Sequence, residues 1–251
     1  MTGAGETGQL KSGRRYLDDG LRREDLTEGR INELIRESDQ SGLLQILPEA
    51  EREASRRETL ARHDRTQDLW IFGYGSLMWN PAFHHAEAGG ARIFGYHRRF
   101  CMWMPMGRGS PERPGMMLAL QRGGSCHGRA LRIPAAQVEA ETRIVWRREM
   151  IAGGYCPTWV RAEYGDRSVR ALTFVANPLY PRYDGRVPLK DTVRAIATAE
   201  GRLGRCRDYL HNLVMHLDDL GIADGQMHRL YKMVEAHADL PRQALGMSSH
   251  S

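Results

Sequence analysis

The sequence predicts an α+β fold, and three observations carry that reading. Apolar runs of strand length, separated by turn residues, fill the stretch from residue 69 to 176. Helical periodicity gathers late, after residue 189. No regular alternation of strand and helix appears, which excludes a doubly wound parallel sheet.

The 251-residue chain divides by composition. Residues 1–68 hold charged runs such as Glu49-Ala50-Glu51-Arg52-Glu53 and a single aromatic residue, Tyr16. Residues 1–14 read as disordered. Residues 27–38 have helical spacing, with Thr27 as a candidate N-cap and Ile31, Leu34 and Ile35 as a short apolar stripe. The run Leu43-Leu44-Gln45-Ile46-Leu47 stops at Pro48, which opens a second polar helix over 48–63. These residues cannot enclose a core of their own, so 1–68 is expected to be a partly helical extension. Its removal to residue 60 is expected to cost modest stability. Strands follow at 69–73, 91–103, 116–121 and 126–133, then a helix at 135–152. Residues 158–164 and 169–176 form a hairpin across Gly165-Asp166-Arg167-Ser168. Helices at 189–200, 205–220 and 226–237 complete a domain at 69–238, and 239–251 reads as a flexible tail.

Composition narrows the function. The net charge is +5 and the pI near 9.2, but arginines interleave with Asp and Glu, the pattern of a solvated surface and not of a nucleic-acid footprint. A modest positive field equally suits a small anionic substrate. No apolar run approaches membrane-spanning length, and Met1 to Glu6 lacks a signal-peptide core. The four cysteines are scattered, and the ten histidines show no metal-ligand spacing. The expectation is a cytoplasmic monomer with reduced thiols, no metal, no cofactor, no membrane and no nucleic-acid partner.

Candidate chemistry begins at WIFGYGSLMWNPAF, residues 70–83. An apolar strand ends in Gly73-Tyr74-Gly75-Ser76-Leu77. Glycines there allow positive φ and close approach of a ligand, and successive amides can form an anion-binding nest. A plain strand-to-turn connection explains the same residues equally well. On the helix 135–152, Glu149 shares a mostly apolar face with Val138, Thr142, Val145 and Ala152, while Arg147 and Arg148 point elsewhere on the wheel. Glu149 is either an ion-pair carboxylate or a general acid/base with a raised pKa. Glu112, in the loop Arg108-Gly109-Ser110-Pro111-Glu112-Arg113-Pro114-Gly115, is a second candidate, and that loop could cover a site. Tyr209 lies on the same helical side as Leu213 and His216, where a core role is the default. No cysteine occupies a recognisable nucleophile turn.

Taken together and in order, WIFGYGSLMWNP, GYHRRFC, RGSPERPG, GGSCHG, WRREM, GGYCPTW and GRLGRCRDYL resemble the ChaC family of gamma-glutamylcyclotransferases over residues 69–235. The resemblance implies a small mixed β-barrel flanked by helices. It implies cleavage of glutathione to 5-oxoproline and cysteinylglycine without metal or cofactor. It makes Gly73, Tyr74, Gly75, Ser76, Leu77 and Met78 the gamma-glutamyl-binding loop, Glu149 the proton-transfer residue and Tyr209 a neighbour of the substrate. Cys206 and Arg207 depart from the Asn and small polar residues of many relatives.

Residue chemistry agrees with that implication. The glutamyl α-amine of glutathione can close a five-membered ring on its own γ-carbonyl, so no enzyme nucleophile is required. Two alternatives stand beside it: a cyclotransferase for other gamma-glutamyl amines or dipeptides, and a non-catalytic gamma-glutamyl-binding regulatory protein. An intact Glu149 argues against the latter.

Overall fold

A computed structural model describes residues 22–28, 31, 33, 36, 42 and 45–238. The expected disorder of 1–14, the tail at 239–251 and the positions Leu34, Ile35, Leu43 and Leu44 lie outside the described residues.

The sheet begins with β1 (Leu69–Gly73), whose five residues are all buried. The reason is its position: β1 pairs antiparallel with β3 (Gly115–Ile133) and parallel with β5 (Arg167–Ala176), so both edges are occupied. Both faces are covered as well. Trp70 and Phe72 enter one apolar cluster and Leu69 and Ile71 another. A continuous apolar run is what such a strand requires.

β2 (Glu87–Met104) and β3 form one long antiparallel hairpin, wider than the separate short strands expected from sequence. The 116–121 and 126–133 segments are one strand because Gly123 and Gly124 take positive φ at an irregularity opposite Gly95. Such a bulge bends a strand without ending it. β4 (Tyr155–Tyr164) and β5 pair across the expected turn, where Gly165 has φ 55°. The order β1-β3-β2-β4-β5, with β5 returning to β1, closes a five-stranded barrel. The mixed barrel of the expected fold class is therefore present.

The first helix, α1, is Arg23–Glu28 and α2 is Glu49–Leu60. Thr27 is thus inside the last turn of α1, which has Glu24 and Asp25 in its first turn, and is not an N-cap; Ile31, Glu33 and Arg36, the residues described further along the expected helix of 27–38, are helical. α3 (Val138–Glu149) follows a short 3₁₀ turn and ends three residues before the expected 152. Late helices α4 (Leu189–Thr198), α5 (Cys206–Asp219) and α6 (Gly225–Ala238) match the expected positions closely. A small ribbon, β6 (Glu200–Gly201) and β7 (Gly204–Arg205), joins α4 to α5.

Leader residues contribute to the core. Leu26 and Ile31 are buried with Leu69, Val145 and Trp146. Arg56 of α2, only 1% exposed at its side chain, bridges Glu53 at 2.8 Å and Glu139 of α3 at 2.7 Å. Trp146 donates to Ser55 Oγ at 3.3 Å, and Trp159 to the Thr59 carbonyl at 3.3 Å. The leader therefore lies against the helix that ends in Glu149.

Candidate active site

β1 delivers the chain into Tyr74 and Gly75, and a single 3₁₀ turn, Ser76–Met78, follows at once. Neither Gly73 nor Gly75 has positive φ, so the conformational reading of these glycines is corrected. Space is the reason for glycine. A Cβ on Gly75 would lie 2.6 Å from the Tyr209 hydroxyl oxygen and 3.3 Å from a Leu118 methyl. A Cβ on Gly73 would lie 2.9 Å from the Leu77 Cβ. Gly75 and Tyr209 thus meet directly, although 134 positions separate them (209 − 75).

The expected loop residues divide by role in the packing. Tyr74 is buried, and its hydroxyl donates to the Phe174 carbonyl at 2.7 Å. Burial, then the nearby Glu149 and Tyr209, push its pKa well above that of an ordinary tyrosine. Leu77 and Met78 send their side chains into the two apolar clusters, leaving only their backbone to face a ligand. The Met78 amide is already engaged with the Gly75 carbonyl at 2.8 Å. Ser76 is half-buried, and its hydroxyl oxygen accepts from Arg148 at 2.7 Å.

Glu149 closes α3 with a side chain 14% exposed. Its expected apolar face is real: Val138, Thr142 and Val145 are buried. Burial raises the Glu149 pKa; the Arg148 charge and hydrogen bond oppose the rise without cancelling it. Arg148 Nε lies 3.1 Å from Glu149 Oε1. Arg148 also donates to the Asn80 carbonyl. The expectation that Arg148 points away is thus corrected. The helix stops at Glu149, and a long guanidinium stem sweeps back over the helix end.

Two tyrosines that belong here escaped the sequence reading or were underweighted by it. Tyr155 is near Tyr74, Glu149 and Tyr209, and burial chiefly raises its pKa; its hydroxyl donates to the Leu118 carbonyl at 2.8 Å. Tyr209 packs against Trp79 at 5.8 Å and edge-on to Phe100 at 6.2 Å, with Arg108 over its ring at 5.7 Å. Arg98 was missed too. Its buried guanidinium donates to the Tyr74 carbonyl at 2.6 Å and pairs with Asp224 at 2.8 Å. The quoted GYHRRFC held the only hint.

Glu112 lacks the burial and the raised pKa that favour Glu149 as the acid/base group. It is exposed, and hydrogen bonds from its own amide and Ser110 lower its pKa. The thiols are quiet: burial pushes Cys101 up to about 12 and Cys126 and Cys206 up to about 11. Cys206 donates to the Met116 carbonyl at 3.3 Å, so this departure packs α5 against β3. Among the described residues no group of acids, histidines or cysteines could hold a metal ion, and no helix is long and apolar enough to cross a membrane.

Comparison with known proteins identifies the family. The family model described as "ChaC-like protein" matches residues 69–237. The glutathione-specific gamma-glutamylcyclotransferase of Escherichia coli K12 is 40% identical, over 74% of this chain and 80% of that protein. Glutathione-specific gamma-glutamylcyclotransferase 1 of Mus musculus is 32% identical, over 72% of this chain and 86% of that protein. A crystal structure of a yeast gamma-glutamylcyclotransferase specific to glutathione superposes with a TM-score of 0.63 over 68% of this chain and 97% of that one, at 19% identity, which establishes the shared fold. The cradle after β1, the buried carboxylate at the end of α3 and these similarities converge: the chain belongs to the ChaC-like family, whose curated relatives are gamma-glutamylcyclotransferases.

Proposed function

We propose that this chain is a glutathione-specific gamma-glutamylcyclotransferase, releasing 5-oxoproline and cysteinylglycine. The observation that carries the reading is Glu149, a buried carboxylate of raised pKa held through Arg148 to Ser76 of the cradle. In this reading residues 69–238 are the catalytic domain and 1–68 its N-terminal extension.

The residues supply the steps that the chemistry needs. Glu149 takes a proton from the glutamyl α-ammonium, freeing the amine to attack the γ-carbonyl carbon. The C–N bond of the new ring forms, and the carbonyl electrons move onto oxygen. Backbone amides of Gly75, Ser76 and Leu77 stabilise that oxyanion. The Glu149 proton then passes to the departing amine, the oxyanion re-forms the carbonyl and the amide C–N bond breaks; the second proton of the ring nitrogen leaves through the Glu149 carboxylate to the released amine, which departs as an ammonium, and the carboxylate is regenerated. One group serves as base and then acid, which requires a pKa closer to neutrality than that of a solvated glutamate. Gly73 and Tyr74 fix the cradle, and Tyr209 walls it.

The test is direct. Purified protein incubated with glutathione should yield 5-oxoproline and cysteinylglycine in equal amounts. A panel adding oxidised glutathione, gamma-glutamyl dipeptides and gamma-glutamyl amines ranks the alternative substrates. Turnover of the simple amines in preference to glutathione would displace this reading, and no turnover of any would favour a binding role.

A further inference from the structure

Three guanidinium groups from three elements hold the carbonyl edge of the cradle. Arg98 of β2 donates to the Tyr74 carbonyl at 2.6 Å, Arg129 of β3 to the Met78 carbonyl at 2.9 Å, and Arg148 of α3 to that of Asn80. Two of the three are neutralised on the spot, Arg98 by Asp224 and Arg148 by Glu149. Arg129 forms no ion pair among the described residues, and its buried Nε meets no hydrogen-bond acceptor there.

An arginine keeps its charge when buried, and a desolvated charge without a counter-ion is costly. Burial lowers the Arg129 pKa, and the one opposing influence is Tyr164, not a carboxylate. Arg52 and Arg92 also have a buried Nε without a partner. Arg52, however, has Glu49 beside it, and Arg92 stacks over Phe94 at 4.6 Å and donates to Ser125. Arg129 alone of these touches the cradle.

Its surroundings continue from the site. The Trp79 ring stacks on His216 at 4.9 Å and packs against Tyr209, the wall of the cradle. Burial, followed by the Arg129 charge, lowers His216 to about 4, so this imidazole is neutral at pH 7 and adds no competing charge.

We propose that Arg129 determines substrate specificity by taking the carboxylate on the leaving half of an anionic gamma-glutamyl peptide, while the cradle and Glu149 handle the glutamyl half. The dimensions agree. Ser76, held by Arg148, and Met78, held by Arg129, are two residues apart on a 3₁₀ turn, about 4 Å of rise. A two-residue leaving group extends about 7 Å from the scissile bond, further than the rise from Ser76 to Met78, where the Arg129 guanidinium already sits on the Met78 carbonyl. Simple gamma-glutamyl amines lack that carboxylate and gain nothing from Arg129. This inference rests on the cyclotransferase reading of the site.

The experiment compares glutathione with its glycine amide, in which the C-terminal carboxylate is neutral, on wild type, Arg129→Gln and Arg129→Lys. Wild type should show a KM for glutathione about tenfold below that for the amide, the scale of one charge-assisted hydrogen bond. Arg129→Gln should raise the glutathione KM about tenfold, leave kcat within about twofold and bring the two KM values together. Arg129→Lys should fall between. If Arg129→Gln weakens both substrates alike, the residue only braces the Met78 carbonyl and the proposal fails. Should the variants not fold, wild type still decides, because equal KM values for acid and amide overturn the proposal. Should wild type turn over neither compound, the cyclotransferase reading fails, and calorimetric titration of the two ligands separates the issues: no preference for the acid overturns the Arg129 assignment as well.

Discussion

Glu141 and Glu149 lie about two turns apart on α3, both are largely buried, and their pKa values move in opposite directions. Burial pushes both upward. For Glu141 that push is outweighed: Arg23 donates twice, at 2.6 and 3.0 Å, and the His84 amide adds a third bond at 2.8 Å. Glu149 has one arginine, and that arginine divides its donors among Glu149, Ser76 and Asn80. The C-terminal end of the helix is left with a carboxylate that is desolvated and incompletely paired. The leader-facing portion is fully paired, by Arg23 and by Arg56 on Glu139. One helix therefore carries a fully paired half and an underpaired carboxylate, the one the proposed mechanism uses, and the number of donors decides which is which.

Exchanging the two carboxylates for amides tests that division most strongly. Glu149→Gln should lower kcat by about a thousandfold, within the range of general acid–base catalysis, and leave the melting temperature unchanged or higher, since it removes a charge that folding disfavours. Residual activity above about a tenth of wild type would end its assignment as the proton-transfer group. Glu141→Gln should do the reverse, retaining kcat while losing about 2 kcal/mol of stability in a denaturant melt. Comparable activity losses in both variants would erase the contrast.

Deleting residues 1–60 should come next in size. Sequence alone suggested a modest stability loss. The deletion, however, removes Arg56 and uncovers Trp146, while Leu26 and Ile31 leave the core. A loss of about 4 kcal/mol or more is now expected from two buried side chains and a broken buried ion pair. A truncated protein melting within about 2 °C of the intact chain would show the leader to be dispensable.

Acidification should separate the halves without mutation. Glu149, raised, protonates first; its neutral form stabilises the fold but cannot accept the ammonium proton, so as pH is lowered kcat/KM is lost before pH 4.5, the ordinary value for a glutamate, is reached. Glu53, Glu139 and Glu141 are lowered, and their stabilisation, complete above their unfolded value of 4.5, is lost only as pH falls through the folded values, about 2 for Glu53, where the Arg56 hydrogen bond is the main cause. A pH–rate profile and far-UV melts over one titration should show activity lost before structure. Coincident transitions would contradict the opposite shifts.

The smallest expected effect is at the cradle. Gly75→Ala should raise KM about fivefold by displacing the Tyr209 hydroxyl, and Tyr209→Phe in the same protein should recover part of it, because the clash is with that oxygen. Identical kinetics for the single and double variants would mean that the contact is not what Gly75 protects.

Much of this was legible beforehand, and the misses share a cause. Strand β1, the hairpin of β4 and β5 and the three late helices follow from apolar spacing, which acts between residues two to four positions apart. Glu149 was legible as a charged residue on an apolar face, and GYGSL as a turn rich in donors. The merging of two short segments into β3 was not, because Gly123 and Gly124 look like a strand end unless the partner strand bulges opposite them. Arg148 was misjudged because a helical wheel fixes only the direction of Cβ, while the guanidinium lies several bonds further out.

By itself, then, the sequence determined the class of fold, the strand-to-turn position of GYGSL and the carboxylate at the helix end, all set by local periodicity and backbone stereochemistry. Only the tertiary structure decided the electrostatics. Arg98 finds Asp224 from 126 positions away, Arg148 finds Ser76 from 72, Arg23 finds Glu141 from 118, and Arg129 finds no acid among the described residues. Such pairings depend on which surfaces the closed barrel brings together, and the sign of a buried carboxylate's pKa shift depends on those pairings.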